Sequence, residues 1–82
     1  MSTKLFVGNL SPNTNESLLR DLFAIHGKVT GVDLIVDRLS GHSRGIAFVT
    51  MDSKSAADAA VLALNGKSVG GRALSVNEAR AF

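Results

Sequence analysis

No cysteine occurs among the 82 residues, which removes disulfide staples, thiolate zinc sites, iron–sulfur clusters and a cysteine nucleophile together. That absence also fits a reducing compartment. No stretch approaches the roughly 18 apolar residues of a membrane span. Met1-Ser2-Thr3-Lys4 leads straight into a short apolar run, without the long hydrophobic region of a secretory signal. A soluble, cytoplasmic chain is therefore expected. Charge of one sign is scarce as well: 9 Lys and Arg against 7 Asp and Glu leave a net charge of +2. So small a surplus is compatible with a polyanion and does not establish one. What is present is ordinary globular composition, 45% hydrophobic and 20% charged, which argues against wholesale disorder. The length holds one small core. We expect a single domain over residues 1–82, with its core at about 4–79, held together by packing alone.

Lys4 to Leu10 is apolar and closed by Asn-Leu-Ser-Pro, so it reads as a first strand. Thr14 is the expected cap of a helix whose Leu19, Leu22 and Phe23 recur at helical spacing, with Gly27 as its stop. Val29 to Asp37 sets Val32, Leu34 and Val36 against Gly31, Asp33 and Ile35, a second strand. A polar loop, Arg38 to Arg44, leads to a third strand from Gly45 to Met51. Ser53 caps an Ala-rich helix whose stripe is Ala57, Ala60, Val61 and Leu64, and Gly66 ends it. Lys67-Ser68-Val69 before Gly70-Gly71 signals a hairpin. Arg72 to Ala79 then alternates as the last strand. The order predicts an α+β, ferredoxin-like βαββαβ sandwich: a four-stranded antiparallel sheet with two helices on one face.

With both helices on one face, the other sheet face has no partner layer and should be polar. It is not. If Leu5 and Val7 point inward, Lys4, Phe6 and Gly8 point outward; if Ala47, Val49 and Met51 point inward, Arg44, Ile46, Phe48 and Thr50 point outward. Asp33 and Ile35 join them from the second strand. Two phenylalanines and two isoleucines would lie open among basic residues, and such a patch marks a binding surface. The opposite phase would bury Lys4 and Arg44.

These residues resemble the RNA-recognition motif family. Leu5-Phe6-Val7-Gly8-Asn9-Leu10 matches its six-residue motif throughout. Arg44-Gly45-Ile46-Ala47-Phe48-Val49-Thr50-Met51 lies over its eight-residue motif, with Ile46 and Met51 replacing aromatics. Asp37-Arg38 through Gly41, Leu64-Asn65-Gly66 and Gly71-Arg72 extend the likeness over nearly the whole chain, which is most similar to the short single-domain versions found in bacteria. The resemblance implies a single-stranded RNA-binding module, with single-stranded DNA left open. Phe6 and Phe48 match stacking positions, and each stack is worth roughly 1–3 kcal/mol. Arg44, Lys4 and Arg80 would meet phosphates or bases. Ile35 and Ile46 would add apolar contact, Arg38 would join a cationic lip beside the bound strand, and Asn9 and Asn77 would add polar contacts. At Arg38 a salt bridge with Asp37 is the equal alternative, and His42 reads as a solvated loop residue. Ile46 keeps apolar contact but loses a π-face, so a dissociation constant on the order of micromolar or weaker is expected. Met51 concerns packing.

Other chemistry finds no support in the residues. Gly66-Lys67-Ser68 resembles the end of a phosphate-binding loop, but Val61 stands where its first glycine is required. Asp33 and Asp37 would be about 13 Å apart on a strand, too far to share a proton or a metal. His26 and His42 lack carboxylates at ligand spacing, and His26 is expected to pack at the end of the first helix. We expect no catalytic residues, no metal, no cofactor, no membrane and no small-molecule substrate, and a monomer. The competing reading is a protein-interaction domain on the same fold, suggested by Ile46 and by an outward apolar spot at Leu18 and Ile25. A small enzyme has only topology in its favour.

Overall fold

A computed structural model describes residues 2–37, 39–41 and 43–79, with Ser43 and Arg44 by their backbone alone. The elements run β1 (Thr3–Gly8), α1 (Glu16–Ala24), β2 (Val29–Val36), β3 (Ser43–Met51), α2 (Lys54–Leu64), β4 (Ser68–Val69), β5 (Arg72–Ala73) and β6 (Ser75–Glu78). The main sheet is ordered β2-β3-β1-β6 and every pairing in it is antiparallel. Each helix thus carries the chain between two parallel strands that are separated by a third, the split βαβ arrangement expected from the sequence.

Alternation decides which side chains reach the helices. Leu5 and Val7 of β1, Ala47, Val49 and Met51 of β3, and Val76 of β6 are fully buried. They meet Leu19 and Phe23 of α1 and Ala57, Ala60 and Leu64 of α2 in one hydrophobic cluster. Burying a leucine or phenylalanine there stabilises by about 1.5–3 kcal/mol. Helix α1 packs over β2 and β3, while α2 packs over β6, β1 and β3. Val61 completes the α2 stripe from a partly buried position.

Three local expectations are corrected. Thr14 does not cap α1. Its N–H bonds the Ser11 carbonyl at 3.0 Å inside the preceding turn, and its side chain is buried. Asn15, extended at φ −126°, is the cap instead, its Oδ1 accepting from Leu18 N–H at 2.8 Å. The expected strand Arg72–Ala79 is divided. Leu74 bonds back to the turn after α2, donating to the Lys67 carbonyl and accepting from Gly66 N–H, so Arg72–Ala73 pairs with Ser68–Val69 and only Ser75–Glu78 joins the main sheet. Val36 leaves the inward stripe and is 47% exposed. Between Ile35↔Ile46 and Val36↔Ser43 the register skips on β3, a bulge whose Gly45 has φ +81°.

Ser53 caps α2 as expected, its hydroxyl accepting from Ala56 N–H at 3.1 Å. At the same end Lys54 reaches both Asp58 and Glu78, at 3.4 and 3.5 Å, linking α2 to β6. Hydrogen bonding to Asp58, then its charge and that of Glu78, hold the ammonium above the usual lysine range. Where α1 turns into β2, Gly27 lies directly against Ala56 of α2, and a Cβ at Gly27 would collide with the Ala56 methyl. Replacing Gly27 with alanine is expected to destabilise the fold by about 1–3 kcal/mol through overpacking, seen as a lower urea midpoint at unchanged m-value.

Candidate nucleic-acid interface

The sheet face opposite the helices carries the residues that the alternation turns outward. Phe6 pairs with Phe48 across β1 and β3, Phe48 with Asp33 across β3 and β2, and Phe6 with Asn77 across β1 and β6. One row therefore crosses the whole sheet: Asp33, Phe48, Phe6, Asn77. Neither ring belongs to the buried cluster or packs against it. Both are partly exposed, with centroids 5.8 Å apart and planes inclined at 68°. An edge-to-face pair of this kind holds each ring in place while leaving a face to solvent.

Gly8 sets how Phe6 lies. A Cβ on Gly8 would stand 3.0 Å from Phe6 Cε2 and 3.3 Å from Cζ, so the ring lies along the strand across the bare Gly8 backbone. Sequence reasoning placed Gly8 on this face without giving it a role. The available signal was a side-chain-free position two residues from an outward aromatic, where a ring can settle. Lys4, diagonal to Phe48 on β1, holds its Nζ over that ring at 5.6 Å from the centroid, a cation–π distance. On the other flank Ile35 pairs with Ile46, both partly buried, and extends the apolar surface.

The structure thus brings together Lys4, Phe6, Ile35, Ile46, Phe48 and Asn77. Asn77 is exposed, and its amide donates to Ser75 Oγ at 3.5 Å. Asn9 is engaged within the fold. At φ 59° it turns the chain out of β1, donates from Nδ2 to the Ala73 carbonyl at 2.8 Å, and accepts from Arg72 at 3.5 Å. Its side chain ties the end of β1 to β5, a fold contact that neither motif spacing nor alternation signals. Arg38, Arg80, His42 and Phe82 lie outside the described residues, as does the Arg44 side chain. The loop before β3 is nevertheless pinned at its start, since Asp37 Oδ1 accepts from Leu39 N–H at 2.8 Å and from Ser40 N–H at 3.3 Å.

Elsewhere the described residues hold no group of three potential metal ligands and no helix long and apolar enough to cross a membrane. Leu18 on α1 and Ile25 at its C-cap are exposed, as expected, at 39% and 78%. A surface of two rings with a cation beside one of them suits flat, unpaired aromatic ligands with negative charge between them.

Comparison with known proteins agrees with this geometry. The RNA recognition motif family model matches residues 5–75. The chain is 48% identical over 79 residues to the glycine-rich RNA-binding protein 2, mitochondrial, of Arabidopsis thaliana, covering 96% of this chain and 50% of the relative. It spans about half the length of that relative, and 34% and 38% of two other curated relatives. Because that relative is a mitochondrial plant protein, the match lends no support to the cytoplasmic compartment or the bacterial likeness expected from the sequence. Among solved structures, RNA Binding Protein PG1 superimposes with a TM-score of 0.93 at 36% identity, covering 98% of this chain and 96% of that one. An Sxl-lethal protein/RNA complex gives 0.89 at 33% identity, covering 94% of this chain and 47% of the other. With two motifs on adjacent strands, an open aromatic face and a family match over residues 5–75, this chain belongs to the RNA recognition motif family.

Proposed function

We propose that the chain binds single-stranded RNA by laying two bases on Phe6 and Phe48. The observation that carries this reading is the partial exposure of both rings on a sheet face that no other layer of the described residues covers. Leaving two phenyl rings in water wastes burial that an 82-residue domain can ill spare, and a base supplies the missing partner. Single strands are the fitting form of the ligand, because their π-faces are free to stack and a duplex hides them. Ile35 and Ile46 take sugar and base edges, Asn77 reaches the base over Phe6, and Lys4, Arg44 and Arg80 meet the backbone. Arg38 lies in the loop that would flank the strand. Binding is non-covalent, the domain acts as a monomer, and no cofactor takes part. The printed descriptions of the Arabidopsis relative and the Sxl-lethal complex, both naming RNA, support the same class of ligand. The protein-interaction reading has the aliphatic Ile46 and the exposed Leu18 and Ile25 behind it, and the latter two lie on the helical side of the sheet, away from the rings.

Titration with mixed-sequence RNA octamers tests the reading. Phe6→Ala and Phe48→Ala should each weaken binding by about 1–3 kcal/mol, or roughly 5- to 150-fold, with circular dichroism and urea stability little changed because neither ring is in the core. Equal affinity of the wild type and the double variant would remove the stacking mechanism. Three or four phosphate contacts predict a slope of roughly −2 to −3 for log K against log salt. A flat salt response would count against Lys4, Arg44 and Arg80 as phosphate contacts. Deoxyoctamers of the same composition would reveal whether the 2′-hydroxyl matters.

A further inference from the structure

Asp33 is out of place on this surface. It sits near the middle of β2, where aspartate is a poor strand former, and it is directly opposite Phe48. Its carboxylate is exposed and makes no hydrogen bond or ion pair among the described residues. The acids at the edges of the fold are used otherwise: Asp37 organises a turn, and Asp58 and Glu78 hold Lys54. Neither the fold nor generic attraction to a polyanion gains from a negative charge beside a stacking ring. A group that accepts specific hydrogen bonds from a base does gain from it.

The surroundings define which base. Phe48 has Phe6 on one side in its row and Asp33 on the other, and Lys4 lies diagonally across on β1, opposite Thr50. Directly opposed side chains stand about 4.5–5.5 Å apart at Cβ, and diagonal ones about 7–8 Å. A purine stacked on Phe48 overhangs the ring far enough to bring its edges to both charged groups. An ionised carboxylate only accepts hydrogen bonds, through two oxygens, and an ammonium only donates. Guanine matches that pair: N1–H and N2–H lie side by side for the carboxylate, and O6 with N7 faces a donor. Adenine and cytosine offer one amino group beside a ring nitrogen whose lone pair would oppose the carboxylate. Uracil offers one N–H between two carbonyls.

Resting on the RNA-binding reading above, we propose that Asp33 and Lys4 make the Phe48 position selective for guanine. Asp33 takes the two Watson–Crick donors, and one of the three Lys4 donors takes O6 or N7. The other Lys4 donors remain for the backbone. Selectivity thus lies in a residue of β2, outside both sequence motifs.

The test uses fluorescence anisotropy with uridine octamers carrying one central guanosine, inosine, adenosine or cytidine, beside the uridine parent and the mixed-sequence pool. The guanosine octamer is expected to bind about 5- to 10-fold more tightly than the adenosine, cytidine or uridine ones, the lower part of the range for a bidentate base contact. Inosine, which lacks the N2 amino group, should fall between. Asp33→Ala should bring the octamers to within about twofold of one another. Asp21→Asn, an equal change of charge on α1 away from the sheet face, should keep the guanosine preference and so separates hydrogen bonding from net charge. Equal binding of all octamers by the wild type, or a preference that survives Asp33→Ala, would overturn the assignment. If the pool binds while the octamers do not differ, the selectivity fails and the RNA reading stands; if the pool does not bind, both fall.

Discussion

The strand phase of β1 and β3 is the constraint on which the rest depends. Two helices cover one face of a four-stranded sheet, and among the described residues no layer covers the other. Because side chains alternate strictly along a strand, placing Leu5, Val7, Ala47 and Val49 beneath the helices places Phe6 and Phe48 on the bare side. The core and the binding face are therefore not separate designs. Each is the complement of the other, and a slip of one residue would expose the small aliphatic set while burying Lys4, whose charge has no partner inside.

Small residues supply the close approaches that make both faces work. On the covered side Ala57 and Ala60 let α2 lie against β1, β3 and β6, and Gly27 lets the end of α1 press on Ala56. On the open side Gly8 plays the corresponding part for a single ring, since Phe6 lies where a β-carbon would intrude. A surface that offers a ring to a flat ligand needs that ring held in place, and side-chain-free backbone beneath Phe6 is one way to achieve that. The edge-to-face contact with Phe48 supplies a further restraint.

Charge is used sparingly and locally. A net charge of +2 provides little long-range attraction, so affinity must come chiefly from stacking and from a few placed groups. Lys4 touches the platform through the Phe48 ring, and Asp33 faces the same ring from the neighbouring strand. With one donor group and one acceptor group around a single stacking position, discrimination between bases becomes physically reasonable even in a weak binder. Ile46 presents an aliphatic side chain beside Ile35 at the margin of the same surface.

The residue pattern alone determined the element order, the sheet's two-faced character and the outward set of Phe6, Ile35, Ile46 and Phe48, because period-two alternation and helical spacing are local properties of the chain. It also pointed to the family, since both motifs lie on strands that periodicity identifies independently. Other features depended on contacts between residues far apart. Asn9 is held by Ala73 and Arg72, more than sixty positions away. Leu74 leaves the last strand to bond Lys67, and the bulge at Gly45 turns Val36 out of the core. The alignment of Asp33 with Phe48 required the register between β2 and β3, which two bulges shift. Alternation says which way a side chain points. Only the folded pairing decides which side chain it meets.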